Sequence, residues 1–99
     1  MQASAEQACA LLKVLANSDR LLLMCQLSLG ERCVSELEEA LDIRQPTLSQ
    51  QLGVLREAGL VVTRREGKNI FYSVASPQAL AVIDVLYQQF CADKPEVKS

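Results

Sequence analysis

The stretch from Ser35 to Val74 changes its hydrophobic period from helical to alternating and is punctuated at each change, which restricts the fold more than any other feature of the chain. Ser35-Glu36-Leu37-Glu38 has the form of a capping box, so a short helix is expected from Ser35 to about Leu41. Asp42-Ile43-Arg44 leaves room only for a tight connection. Pro46 is expected as a first helical residue, where a missing N–H costs nothing, and the helix it opens should run to about Glu57 and end at Gly59. Leu60-Val61-Val62-Thr63-Arg64 and Ile70-Phe71-Tyr72-Ser73-Val74 are β-prone, and Arg65-Glu66-Gly67-Lys68-Asn69 between them has the composition of a hairpin turn. Two short helices across a tight turn, followed by a hairpin, predict a winged helix-turn-helix.

The flanking segments read as helices. Ala5, Ala8, Cys9, Leu12, Leu15 and Ala16 recur at three- and four-residue intervals and predict one buried stripe, with Cys9 in the core. Asn17 or Ser18 can cap the next helix, whose expected apolar face is Leu21, Leu22, Cys25 and Leu29, with Gly30 as its stop. Ser76-Pro77 opens a last helix with Leu80, Val82, Ile83, Leu86, Tyr87 and Phe90 apolar. The fold class is therefore mainly α with a small β-hairpin, in the order α-α-α-α-β-β-α. A composition of 49% hydrophobic but only 4% aromatic residues, built on Leu, Ala and Val, suits packed helices and disfavours an all-β fold. One domain is expected over residues 5–92, with a polar, frayed tail over residues 93–99. A chain of 99 residues buries a modest fraction of its surface alone, so a homodimer is expected. No stretch approaches the ~20 apolar residues that span a bilayer, and no leader pattern opens the sequence, which predicts a cytoplasmic protein with no membrane partner.

The net charge is −2, but its distribution is uneven. Glu31 to Asp42 holds five acidic residues and one basic, whereas Arg44 to Tyr72 holds five basic and two acidic. The basic part coincides with the predicted second helix and hairpin, as a nucleic-acid footprint requires. At the start of that helix, Gln45, Thr47, Ser49 and Gln50 are short or amide side chains able to hydrogen-bond base edges or phosphates, while Leu48, Leu52 and Leu55 face inward. Arg64, Arg65 and Lys68 flank the hairpin turn, where long cations reach phosphates or the minor groove, and Tyr72 is a candidate phosphate donor. The expected partner is double-stranded DNA.

An enzyme is disfavoured, because the chain has no histidine to act as a base, no glycine-rich phosphate loop and no CxxC pair. No cofactor is expected. The lack of histidine excludes a His-bearing zinc site, and a purely thiolate site would need cysteines from distant helices to converge, so no metal residues are assigned. Cys9, Cys25, Cys33 and Cys91 do not form the spacing of a static disulfide framework.

From about Ala5 to Cys91 the sequence resembles the ArsR/SmtB family of prokaryotic repressors. The resemblance is carried by Leu15-Ala16-Asn17 with Arg20-Leu21-Leu22, Ser35-Glu36-Leu37, Gln45-Pro46-Thr47-Leu48-Ser49-Gln50-Gln51-Leu52, Leu55-Arg56, Ala58-Gly59-Leu60-Val61 and Gly67-Lys68-Asn69-Ile70-Phe71-Tyr72. Gln51 departs from it, since many members carry His there. The family implies an operator with inverted-repeat half-sites and a dimer paired through the first and last helices. The thiolate cluster of its metal-sensing members is broken here, where Glu31-Arg32-Cys33-Val34-Ser35-Glu36-Leu37 keeps one cysteine and has Ser35 in place of the next. The sequence is most similar to the persulfide-sensing BigR/SqrR branch, which implies that Cys25 and Cys91 lie near each other within one subunit. Reactive sulfur species would then link them through a di- or polysulfide bridge and release a repressor from DNA. Cys33 is read as solvent-open, an accessory thiol or the remnant of a metal motif. Two other readings stay open. One is a metal- or metalloid-responsive repressor, needing at least three convergent thiolates. The other is an inducer-independent anti-repressor, for which loss of both cysteines changes nothing.

Overall fold

The computed structural model describes residues 2–91 and opens with helix α1, Gln2–Leu15. Asn17 breaks the chain in extended backbone and its side-chain oxygen accepts from the Arg20 amide at 3.0 Å, which starts α2, Ser18–Ser28. A two-residue strand β1, Arg32–Cys33, leads into α3, Val34–Ala40, and then α4, Thr47–Glu57. The hairpin is β2, Val61–Glu66, and β3, Asn69–Val74, and the described chain ends with α5, Pro77–Phe90, capped by Ser76 through a 3.1 Å bond from the Ala79 amide. The tail expected over residues 93–99 lies outside the described residues, as does the last residue of the expected 5–92 domain.

The five helices and the hairpin appear in the order the sequence predicts, and β1 is the addition. It pairs antiparallel with β3, Arg32 opposite Tyr72 and Cys33 opposite Phe71, giving a three-stranded sheet in the order β1-β3-β2. Two residues carry no alternation to detect. The same pairing corrects the start of α3. Cys33 is held in extended backbone beside Phe71, so the helix begins at Val34, and the reciprocal carboxylate is Glu36, whose Oε1 accepts from the Cys33 amide at 2.9 Å. The capping box therefore sits two residues ahead of the expected Ser35 and Glu38. Cys33 is correspondingly buried, not solvent-open.

The core is built from Leu23, Met24 and Leu27 of α2, Leu37 of α3, Leu48, Leu52 and Leu55 of α4, Leu60, Val61, and Ala79 and Ile83 of α5. On α2 this corrects the expected face. Leu22 and Leu29 are exposed, while Leu21 and Cys25 are only partly buried. The run from Leu21 to Cys25 is apolar all round, so packing against α4 and α5, not period, chooses which residues turn inward. On α1, Leu11, Val14 and Leu15 pack inward, whereas Ala5, Ala8, Cys9 and Leu12 face solvent. Cys9 is thus not a core residue of the single chain.

Two glycines fix the geometry around α4 and the hairpin. After α4, Gly59 takes φ +79, so that its amide reaches the Arg56 carbonyl and the Leu60 amide reaches Leu55, both at 3.0 Å. This is the paired closure of a Schellman motif, and it turns the chain straight into β2. At the hairpin tip Glu66 pairs with Asn69, leaving a two-residue loop in which Gly67 takes φ +63. The strands are therefore longer, and the turn tighter, than the sequence suggested.

Candidate functional site

α4 presents two faces. Leu48, Leu52 and Leu55 are buried, and Ser49 and Gln50 are exposed on the opposite side, with Thr47 half-buried at the start of the helix. Pro46 is the cap residue and not the first helical one. Its neighbour Gln45 is exposed, and its Oε1 accepts from the Ser49 amide at 3.1 Å, so part of this side chain is spent on satisfying an orphan donor at the helix start. Gln50 is left as the exposed amide one turn into the helix.

The hairpin sorts its cations. Arg65 and Lys68 are exposed. Arg64 is held in place. Its Nε donates to Glu31 Oε2 at 2.9 Å and its Nη2 to Glu31 Oε1 at 2.8 Å, Glu66 lies 3.4 Å from Nη1, and the guanidinium sits 4.7 Å from the Phe71 ring centroid. The Glu31 bond pushes the Arg64 ionisation further up. Arg64 thus ties the hairpin to the segment that leaves α2, a pairing across 33 residues with no local sequence signal. Tyr72 lies mid-sheet, opposite Thr63 on β2 and Arg32 on β1, and is half-buried against the core. Its ring is part of the packing, away from the hairpin tip.

All four cysteines are free. Cys25 is half-buried on α2, and Cys91 is exposed at the C-terminal cap of α5, the helix against which α2 packs. Burial pushes the Cys25 thiol above its ordinary ionisation range, and the Cys91 charge adds to the rise, so the two sulfurs are within electrostatic reach. Cys33 is buried, with its Sγ 3.3 Å from the Ser35 hydroxyl, and Cys9 is exposed on α1. Among the described residues no three His, Cys, Asp or Glu side chains are grouped so as to hold a metal ion, and no helix is long and apolar enough to cross a membrane.

A two-faced helix set on a tight turn, backed by a core of leucines and followed by a basic hairpin, defines a winged helix-turn-helix transcriptional regulator of the DNA-binding class. The model for the arsR family of bacterial regulatory proteins matches residues 17–63. The chain is 59% identical over 92 residues, 93% of its own length and 79% of the other, to the biofilm growth-associated repressor of Agrobacterium fabrum. The crystal structure of the transcriptional repressor BigR from Xylella fastidiosa matches with a TM-score of 0.87 at 50% identity, covering 93% of this chain and 94% of that one. The transcriptional activator HlyU of Vibrio cholerae is 40% identical over 91 residues, 92% of this chain and 84% of the other, and its reduced form matches with a TM-score of 0.88, covering 96% of that chain. The chain belongs to the arsR family.

Proposed function

We propose that this regulator is a cytoplasmic repressor that holds an inverted-repeat operator as a homodimer and lets it go when reactive sulfur species join Cys25 to Cys91. The observation that carries the sensing part is the placement of two free thiols on two helices packed together in one chain, where burial first and then the Cys91 charge hold Cys25 in its protonated form. Support for the dimer comes from the solvent-facing apolar residues of α1 and α5, among them Leu12, Val85 and Phe90. A chain this small gains most from sharing such faces with a second copy. Gln45, just ahead of the reading helix, and Thr47, Ser49 and Gln50 on it serve the major groove, and Arg65 and Lys68 serve the backbone or minor groove.

Exposed Cys91 meets the sulfur donor first. Its thiolate attacks the outer sulfur of a persulfide RSSH, forming Cys91–S–SH and releasing RSH. The Cys25 thiolate then attacks the Cys91 sulfur and expels hydrogen sulfide, closing a disulfide. Alternatively, Cys91–S–S⁻ first displaces hydrogen sulfide from a second RSSH, and Cys25 then displaces RSH from the resulting trisulfide, leaving one extra sulfur in the bridge. In both routes the sulfane sulfur is the oxidant and the cysteines are oxidised. A bridge that costs the DNA-competent arrangement about 1.4 kcal/mol weakens binding tenfold.

The test treats reduced protein with glutathione persulfide, maps the joined cysteines and their sulfur count by mass spectrometry, and measures operator affinity before and after. A Cys25–Cys91 bridge accompanied by weaker binding is the expected result. Bridging without a change in affinity, or modification scattered over the four cysteines, would sink the proposal.

A further inference from the structure

Gln51 lies between Gln50 on the reading face of α4 and Leu52 in the core, and it is half-buried. Its Oε1 accepts from Arg20 Nη1 at 2.8 Å, while Arg20 Nε donates to the Val14 carbonyl at 2.6 Å and the Arg20 amide donates to Asn17 Oδ1 at 3.0 Å. Three helices meet on this one side chain: the last turn of α1, the first turn of α2 and the middle of α4. The Val14 carbonyl is among the last carbonyls of α1, which lack partners further along their own helix, and a cation there also opposes the negative end of the helix dipole. Arg20 is therefore fixed at two ends by groups with good reason to hold it. Cys25 follows it on α2 by fewer than two turns, within the same continuous helix.

We propose that the Arg20–Gln51 hydrogen bond is the joint through which α2 sets the position of α4, so that Arg20 and Gln51 are positioning residues for operator recognition and for its response to the cysteine bridge. The response half rests on the sulfur-bridge reading above; the positioning of α4 does not. Bridging draws α2 against α5, Arg20 travels with α2, and Gln51 follows, re-aiming Gln50. A neutral amide suits this place, because its oxygen accepts from the guanidinium whatever the pH, whereas an imidazole would lose the contact on protonation.

The experiment compares the full-length wild type with Gln51→Leu and Gln51→Glu, the second of which keeps an acceptor. Bridge formation, operator affinity of the reduced and bridged forms, and amide exchange across α4 are measured for each. Gln51→Leu is expected to form the bridge normally, to narrow the reduced-to-bridged affinity ratio by about threefold or more, and to exchange faster in α4, with Gln51→Glu close to wild type. A packing role alone would lower affinity in both states and leave the ratio unmoved. Where the wild type responds to the bridge, an unchanged ratio in Gln51→Leu, or a Gln51→Glu protein as impaired as Gln51→Leu, overturns the proposal. If wild-type affinity itself ignores the bridge, the sensor reading falls and the exchange data decide the joint: faster α4 exchange in Gln51→Leu alone upholds it, and equal exchange in all three removes it.

Discussion

Cys25 is held as a thiol more firmly than a free cysteine, first by burial and then by the neighbouring Cys91 charge. Its reactivity should therefore rise with pH and reach half its maximum above the ordinary thiol range, as alkylation by iodoacetamide would report. Cys91→Ser should lower that midpoint in part and leave the contribution of burial. The linkage has a definite sign: a raised folded-state ionisation adds stability that is present below the unfolded value and is lost as pH climbs through the folded one. Replacing Cys25 with serine should accordingly flatten the alkaline end of a stability-against-pH curve. On the DNA side, Gln50→Ala is expected to change sequence preference, whereas Arg65→Ala should weaken binding to all sequences and reduce its salt dependence. Equal effects of both substitutions on every operator variant would contradict this division.

Among the elements, the hairpin is the one whose shape depends most on single positions. Gly67 sits at φ +63, so Gly67→Val should destabilise the turn by about 1–2 kcal/mol and show as a lower Tm. Glu31→Gln, by releasing Arg64, should speed amide exchange in β2 and β3 while leaving the helices unaffected; unchanged exchange would mean that the ion pair does not anchor the hairpin. These elements also mark what the sequence could and could not tell. The hairpin, the reading helix and the α4 leucines were legible because alternation, spacing and glycine placement are local properties. The Glu31–Arg64 pair, strand β1 and the Arg20–Gln51 bond depend on residues brought together from far apart, and no local pattern announces them. The rotation of α2 was lost for a different reason: five consecutive apolar residues from Leu21 to Cys25 offer several equally good faces, and only packing chooses.

For the molecule as a whole, the exposed apolar residues of α1 and α5 bear on assembly. Leu12 is 54% exposed, so Leu12→Glu should leave the helical content intact while shifting sedimentation from dimer to monomer and abolishing operator binding. A dimer that survives this change would have to be built on another face. The sheet order raises a separate matter. β1 covers part of one edge of β3, but the far edge of β2 carries no partner among the described residues, and an open strand edge is a template on which another chain can add. Here that strand ends in Arg64, Arg65 and Glu66, all exposed. Two such strands meeting antiparallel would bring charged side chains against each other and strip them of water. The hairpin is thereby guarded against its own kind at high protein concentration, and Arg65→Val would remove part of that guard.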